Sequence, residues 1–544
     1  MRSIDGQLLK QMLLSAANNL YNHYPEVDAL NVFPVPDGDT GMNMNLTLTS
    51  GAKEIANRND DDVYTIANLF SRGLLMGARG NSGVITSQIF RGFAKSLKDK
   101  KVIKAQDFAD AFASGSEVAY KAVMRPVEGT ILTVIRESSE RLSEFVANDE
   151  SSSLEKIMRY FVSEAEASLN RTPDLLPVLK EVGVVDSGGA GLVKILQGME
   201  CALNGNFIDK NEATSMERKA IIDDNGKKGY YVEFRLHLGP KDQKKDFIER
   251  RYISILEAHG KEVEVKRIDD NTLDTKLISY APGALLTYAQ GFGEFSHVKI
   301  GEDMPTEEEK KEEPAPAPVK KVPSKPFAIV SISAGSGIDE YFNEIGVDRI
   351  VSGGQTMNPS IEDIISAVRE CNAKTVFVLP NNSNIIMAAV QAADVLADEI
   401  DVRVISTKTI PQGIVAASAF NPDSSADDNA NEMKEAFSHL KSGSVTYAIK
   451  DTTVDGFEVT KDYFMGILDK KIVVCEKNKY NSLFKLLDQM IDEESYLLTI
   501  FTGEDIKDDE FDLIRAKVEK KFPNVELDLR KGNQPVYSFL IGVE

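Results

Sequence analysis

Asn31-Val-Phe-Pro-Val-Pro-Asp37-Gly-Asp39-Thr-Gly-Met-Asn43-Met is the stretch on which the reading of this chain turns. Two carboxylates stand two residues apart around a glycine, prolines stiffen the approach, and an apolar helical pattern follows. Neighbouring carboxylates repel, so a fold that keeps both ionised usually supplies a cation. Hard oxygen ligands at this spacing suit Mg²⁺, which binds through one or two carboxylates together with substrate phosphates. The same residues also describe a proline-stiffened Asp-Gly turn, and the motif alone leaves both readings open.

Three further segments weigh on that choice. Residues 77–83 read Gly77-Ala-Arg79-Gly80-Asn81-Ser82-Gly83 and open the apolar run Val84–Phe90. Residues 186–191 read Asp186-Ser187-Gly188-Gly189-Ala190-Gly191 before a second apolar run, and Arg125-Pro-Val-Glu128-Gly129-Thr130 precedes a third. A glycine-rich turn that opens a helix presents unpaired N–H groups and a positive dipole end, a ready phosphate site. Each such loop by itself is more often just a helix cap or a close-packing point. Four in one domain, one of them with paired aspartates, point to a nucleotide-phosphate site. No GxxxxGK[ST] sequence occurs, so a P-loop is not the device.

In this order, DGDTGMNM, GARGNSGV, VEGTILTV and VDSGGAGL resemble the nucleotide-binding domain of the dihydroxyacetone kinase L-subunit family. Over essentially its whole length the chain resembles the three-part kinase component of the bacterial fatty acid kinase family. There, such a domain is joined to a middle domain and to a C-terminal domain similar to the DegV fatty-acid-binding proteins. The resemblance implies a multidomain fold: an all-α nucleotide-binding helical barrel, a small α+β middle domain and a two-lobed α/β DegV-like domain. It also implies an ATP-dependent kinase. The acceptor would be the carboxylate of a fatty acid presented by a DegV-like carrier protein, and the product an acyl phosphate for phospholipid synthesis.

The resemblance carries residue roles with it. Asp37 and Asp39 would hold Mg²⁺, as two ions. The family's metal loop has an acidic residue before this pair, where the present chain offers Asn31, whose carbonyl can ligate Mg²⁺ but brings no charge. Thr40 and Asn43 would touch phosphate or metal-bound water, and Gly80, Asn81, Ser82 and Gly83 would hold phosphate oxygens. Thr130 and the loop Asp186, Ser187 and Gly188 would close around the nucleotide. Arg79 is a candidate to stabilise transition-state charge, or equally a structural arginine at a helix start. Phosphoryl transfer needs mainly positioning and charge neutralisation. A fatty-acid carboxylate, with a pKa of roughly 4–5 like glutamate, is already ionised and needs no general base. Two other functions stay open. One is a dihydroxyacetone-type small-molecule kinase component, whose substrate-binding partner nothing here resembles; the other is a non-catalytic nucleotide- or lipid-sensing regulator. A homodimer is compatible with either.

The middle segment departs from the family pattern. A cysteine two residues after a glycine, and two histidines flanking one residue, imply a zinc site there. The matching positions of this chain are Tyr231, Lys276 and Ile278. His237, His259 and His297 are isolated, and no structural zinc is expected.

Composition bounds the remaining classes. The chain has 544 residues and a formal net charge of −22, which disfavours a nucleic-acid or anionic-membrane surface. Its three cysteines, Cys201, Cys371 and Cys475, form no CxxC pair and no disulfide framework. The N-terminus lacks the apolar core of a signal peptide, and no run reaches the ~18 apolar residues of a membrane span. A cytoplasmic location is expected.

Residues 1–205 read as nearly all helix, with Leu9, Met12, Leu13, Ala16 and Leu20 on one apolar face. Similar patterns recur near 63–76, 84–97, 106–123, 130–147, 154–169 and 190–203. Residues 206–304 read as a small α+β domain, with strands at 229–238, 262–267 and 275–280 and a helix at 247–259. The charged, proline-rich stretch 305–326 reads as a linker, too poor in apolar bulk to offset its own ordering entropy. From 327 to 544 strands and helices alternate, as in a parallel sheet with helices on both faces followed by a second lobe. Three loops there follow strands, where open α/β sheets bind ligands. They are Ser352–Pro359, Leu379–Asn384 and Thr407–Gly413. Turn and cap chemistry explains them equally. Residues 1–205 are expected to fold and bind nucleotide alone, with residues 206–544 docking the carrier.

Overall fold

The structure is a computed structural model. It describes residues 1–32, 38–149, 151–210, 230–238, 252–253, 256, 260–269, 271–279, 285–286, 289–290, 292–301, 324–354, 358–448, 452–454, 457–469 and 471–544. The chain forms two compact units, one of Met1–Lys210 with Lys321–Glu544 and the other of Asn211–Lys320. Asp37 and the linker expected at 305–326 bear on the sequence reading; Asp37 and residues 305–323 lie outside the described residues.

The first part is helical. Its elements are α1 (Gly6–Ala29), α2 (Thr40–Ala56), α3 (Val63–Met76), α4 (Gly80–Ser96), α5 (Ala105–Ala122), α6 (Ile131–Asn148), α7 (Leu154–Leu175), α8 (Pro177–Val182) and α9 (Ser187–Leu203). From α1 to α7 each helix packs on its successor; α7 then packs on α9 and α9 on α1, which closes the ring. The periodic residues Leu9, Met12, Leu13, Ala16 and Leu20 are all buried inside it. A chain of phenylalanines runs through the core, with ring centroids 5.2 Å apart for Phe70–Phe90, 5.0 Å for Phe93–Phe112 and 4.6 Å for Phe112–Phe161. Glycines let α4 and α5 touch backbone to backbone: a Cβ on Gly92 would lie 2.3 Å from the Ser114 carbonyl oxygen.

The second unit contains an antiparallel sheet of β1 (Tyr230–Leu238), β2 (Gly260–Asp269), β3 (Thr272–Ser279) and β4 (Gly293–Gly301) in the order β2-β3-β1-β4. Strand β4 has no counterpart in the sequence reading, and the helix expected at 247–259 lies largely outside the described residues. Tyr231 pairs with Ile278 and Glu233 with Lys276, so the positions of the family's zinc ligands do share one patch of sheet. That patch is filled by other chemistry. Tyr231 donates to Glu233 over 3.2 Å, and Lys276 lies 3.3 Å from the same carboxylate. His237 has Thr272 and Ser296 hydroxyls on its two ring nitrogens. Elemental analysis of protein purified without chelator is therefore expected to find no stoichiometric zinc; one tightly held zinc per chain would refute this.

The remainder of the first unit is α/β. It runs β5 (Lys325–Ser333), α10 (Ser336–Glu344), β6 (Arg349–Ser352), α11 (Ile361–Glu370), β7 (Ala373–Leu379), α12 (Ile386–Leu396), β8 (Asp401–Val404), α13 (Ile410–Ser418) and α14 (Ala426–Ala436). The four strands form a parallel sheet, β6-β5-β7-β8. Alternation along the strands assigns its two faces. Val330, Val376 and Val378 pack on Ile364, Ile365 and Ala388, whereas Ile329, Phe377 and Leu379 pack on Ile338, Phe342 and Met433. The second lobe runs β9 (Lys441–Tyr447), β10 (Thr452–Val454), β11 (Phe457–Val459), β12 (Phe464–Leu468), β13 (Lys471–Glu476), α15 (Lys479–Met490), β14 (Leu497–Gly503), α16 (Asp508–Lys521), β15 (Glu526–Gln534) and β16 (Tyr537–Val543). Its main sheet has the order β13-β12-β9-β16-β14-β15, with only β14 and β15 parallel.

Ala78 and Val84 of the helical part belong to the apolar core of the β5–β8 lobe. The helical ring and this lobe thus share buried surface, which the expectation of an independent body at residues 1–205 does not include. No described helix is long and apolar enough to cross a membrane.

Candidate functional site

The loops singled out in the sequence meet at one end of the helical ring. Helices α2, α4, α6 and α9 all begin there, directly after the acidic or glycine-rich segments. Thr40 joins three loops: Ser187 Oγ donates to its hydroxyl over 3.3 Å and Ser82 Oγ to its carbonyl over 3.4 Å. Thr47 Oγ1 donates to the Asn43 carbonyl at 2.7 Å and accepts from the Arg79 N–H at 3.2 Å, fixing α2 against the start of α4. Asp186 caps α9 by accepting from the Gly189 N–H at 2.7 Å and also accepts from the Ile131 N–H, which brings in the segment after Thr130. The Thr130 hydroxyl itself donates to the Val127 carbonyl. Four helix N-termini in one place bring together the positive ends of four dipoles and those first-turn N–H groups that Asp28 and Asp186 do not cap, an arrangement suited to polyphosphate.

Asp39 occupies the N-cap position of α2 but makes no side-chain cap bond there. The capping falls to Asp28, nine residues before Asp37 in the last turn of α1, whose Oδ1 accepts from the N–H groups of Gly41 at 2.6 Å and Met42 at 3.1 Å. Asp28 is not among the residues the sequence points to, because it lies within the helical pattern of α1 rather than in the loop. Asn31 is buried beside it, its N–H bonded to the Asp28 carbonyl at 3.0 Å. Asn43 is buried as well, and Gly80 packs so closely on it that a Cβ there would lie 2.7 Å from Asn43 Nδ2.

The β5–β8 lobe closes over these loops. Arg79 Nη1 donates to the Asn358 carbonyl at 2.8 Å, so the arginine is a tether between the two parts of the unit. Asn358 Nδ2 donates to Asp39 Oδ2 at 2.7 Å, Asn81 Nδ2 to Asn384 Oδ1 at 3.1 Å, and the Ile361 N–H to the Ala78 carbonyl at 3.2 Å. Of the three sheet-end loops, two therefore face the helical part through Asn358 and Asn384. The third is tied inward: Thr407 Oγ1 donates to Asn381 Oδ1, and Asn381 Nδ2 donates to Ser331 Oγ and the Ile332 carbonyl.

The chemistry fits Mg²⁺: Asp39 and Asp28 are carboxylates at this end of the ring, the hard oxygen chemistry Mg²⁺ takes. Asn358 Oδ1 and Asn81 Oδ1 are buried carbonyl oxygens with no hydrogen-bond partner among the described residues. Among the described residues no three His, Cys, Asp or Glu side chains gather as a metal cluster, and Asp37 is not one of those residues.

Burial sets the charge state of two acids here. It raises Asp28 to about 6, with the Met42 and Gly41 N–H groups pulling down and Asp39 pushing up. Burial likewise raises Asp186 to about 6 against the Gly189 and Ile131 N–H groups. A raised folded-state value means that the folded chain holds protons the unfolded chain has released. Stability is thus greatest below the unfolded value near 4 and falls as pH rises towards and through 6. Asp186→Asn should flatten that slope, removing about 1 kcal/mol of the difference between pH 5 and 7.5. Thermal melts of metal-free protein at the two pH values check this; an unchanged slope would show that Asp186 does not titrate as argued.

A closed helical ring with a loop-built site at one end is joined to an α/β lobe, and comparison with known proteins assigns the two parts to kinase-family domains. The family model for the C-terminal domain of FakA-like fatty acid kinase proteins matches residues 328–544, and the model "DAK2 domain" matches residues 34–201. Protein YloV of Bacillus subtilis is 42% identical over 100% of both chains, and an uncharacterized Staphylococcus haemolyticus protein is 42% identical over 99% of both. The chain belongs to this family of DAK2-domain proteins with a FakA-like C-terminal domain. Among solved structures, a DegV family protein from Corynebacterium glutamicum aligns with a TM-score of 0.31 at 14% identity over 40% of this chain and 96% of that one, a likeness too slight to place any residue.

Proposed function

We propose that the protein transfers the γ-phosphoryl group of ATP to the carboxylate of a fatty acid held by a separate DegV-like carrier, giving an acyl phosphate. The observation that carries this is the meeting of four helix N-termini through Thr40 and Asp186 at the end of a closed helical ring, in a chain of the FakA-like fatty acid kinase family. In this reading residues 1–205 bind the nucleotide, 206–304 form a middle domain, 305–326 a spacer and 327–544 a DegV-like domain, with residues 206–544 docking the carrier. The N–H groups at Thr40, Gly80–Ser82 and Ser187–Gly188, which neither Asp28 nor Asp186 caps, cradle the phosphates, with Thr40, Ser82 and Ser187 adding hydroxyls. Asp37 and Asp39, with Asn31 and Asn43 near, would hold Mg²⁺, which would supply charge neutralisation at the phosphates. The ionised acceptor needs no base, which agrees with the absence of any histidine from the loop sequences quoted above. The test is ATP consumption, with hydroxylamine trapping of acyl phosphate, by the full chain with and without lipid-loaded carrier. Hydrolysis or turnover indifferent to the loaded carrier would refute the assignment.

A further inference from the structure

Asn358 stands out at the seam between the helical ring and the β5–β8 lobe. It is 2% exposed, and its side chain reaches into the acidic loop of the other part of the unit. Its surroundings hold it still. Pro359 follows it, and Ser360 begins α11 with a reciprocal cap, Ser360 Oγ accepting from the Asp363 N–H and Asp363 Oδ2 accepting from the Ser360 N–H. Its own carbonyl is held by Arg79, and three residues on the Ile361 N–H is held by the Ala78 carbonyl. The orientation of its amide is decided by chemistry. A carboxylate only accepts, so Nδ2 must face Asp39 Oδ2 at 2.7 Å; the turned amide would set oxygen against oxygen. Nδ2 also lies 3.4 Å from Asn43 Oδ1. The consequence is that Oδ1 is buried with no hydrogen-bond partner among the described residues, as is Asn81 Oδ1 at the other cross-lobe amide pair. A buried acceptor left unmet is costly, because it has given up water without a replacement partner. Two of them at one group of loops mark a place where a bound ligand supplies the missing partners.

We propose that the α/β lobe completes the phosphoryl-donor site in cis, with Asn358 as a positioning residue that fixes the Asp39 carboxylate, seconded by Asn384 on Asn81. This rests on the kinase reading above. A carboxylate presents two oxygens; with one held by a rigid amide, its plane is set before Mg²⁺-nucleotide arrives, and outer partners of this kind matter to metal affinity by about 10–100-fold. The same seam offers a contrast. Gln88 Nε2 donates to Gln391 Oε1 at 2.7 Å, a buried amide pair that joins the same two parts away from the loops.

The experiment is a titration of full-length protein with Mg²⁺ and a non-hydrolysable ATP analogue, without lipid or carrier, reading both nucleotide affinity and the Mg²⁺ midpoint. Asn358→Ala should weaken binding at least about 10-fold and raise the Mg²⁺ midpoint, while Gln391→Ala leaves both unchanged. Asn358→Asp keeps the size but sets a second carboxylate against Asp39, so it should melt lower than wild type without Mg²⁺ and recover more of its melting temperature when Mg²⁺ is added. Wild-type affinity and midpoint in Asn358→Ala, or an equal loss in Gln391→Ala, would overturn the proposal. Asp39→Asn separates the two levels. If it abolishes binding while Asn358→Ala does not, only the positioning role falls; if neither variant loses binding, the kinase reading beneath it falls as well.

Discussion

Asp39→Asn and Asp37→Asn should each abolish Mg²⁺-nucleotide binding and turnover while the protein stays folded. Outer-shell changes at metal sites already cost about 10–100-fold, so loss of a direct ligand should exceed that. The structure explains why the fold should tolerate the change at Asp39. Asp39 makes no cap bond to α2, and Asp28 does that work from the end of α1, so neutralising Asp39 leaves the helix start intact. Calorimetric titration with Mg²⁺-nucleotide alongside circular dichroism melts reads both halves of the claim. Near-normal acyl phosphate formation in either variant would refute the metal assignment. Asn31→Asp, which restores an acidic residue before the pair, should hold metal equally well or more tightly.

Gly80→Ala is the second change expected to have a large effect. Gly80 has φ +58°, a conformation costly to residues with a Cβ, and that Cβ would stand 2.7 Å from Asn43 Nδ2 and 3.4 Å from Asn358 Nδ2. The substitution therefore pushes on the acidic loop and on the seam at once. Overpacking of this kind costs about 1–3 kcal/mol, and nucleotide affinity should fall at least about 10-fold, as for other losses of outer-shell order. Gly205→Ala is the matched control: its φ is +80° but, among the described residues, nothing lies within 4 Å of the added carbon. It should lose only the backbone term and keep nucleotide affinity. Equal behaviour of the two variants in urea melts and in binding would show that the close packing at Gly80 is incidental.

Much of this architecture is legible in local sequence pattern, and the omissions have physical reasons. The helices of the ring and the strands at 327–333, 349–352 and 375–379 announce themselves because amphipathic period and buried apolar runs are local signals. Strand β4 escapes notice because its exposed Val298 and Ile300 break the expected in-out alternation. Strand β12 is a short apolar run broken by Gly466, and β15 is half-buried and mixed in composition, so neither shows a period of its own. At the site, the glycine-rich loops are visible, whereas Asp28 hides inside an otherwise ordinary helix end. The partnership of Asp39 with Asn358 joins residues 319 positions apart, and no periodicity or spacing carries it. The asparagine is conspicuous only once the two loops are seen to meet.

Strand β16 has a consequence for how the second lobe comes into being. It lies between β9 and β14, hydrogen-bonded to both, so it is the staple that joins one half of that sheet to the other. It is also translated after every other strand of the sheet. On the ribosome, β9 and β14 must therefore wait with bare edges until residues 537–543 emerge. Unpaired edges are where nascent chains stick to one another. The lobe thus completes as a single late event, and a chain stalled before Tyr537 would be a natural client for chaperones or proteases even though its helical ring had long since closed.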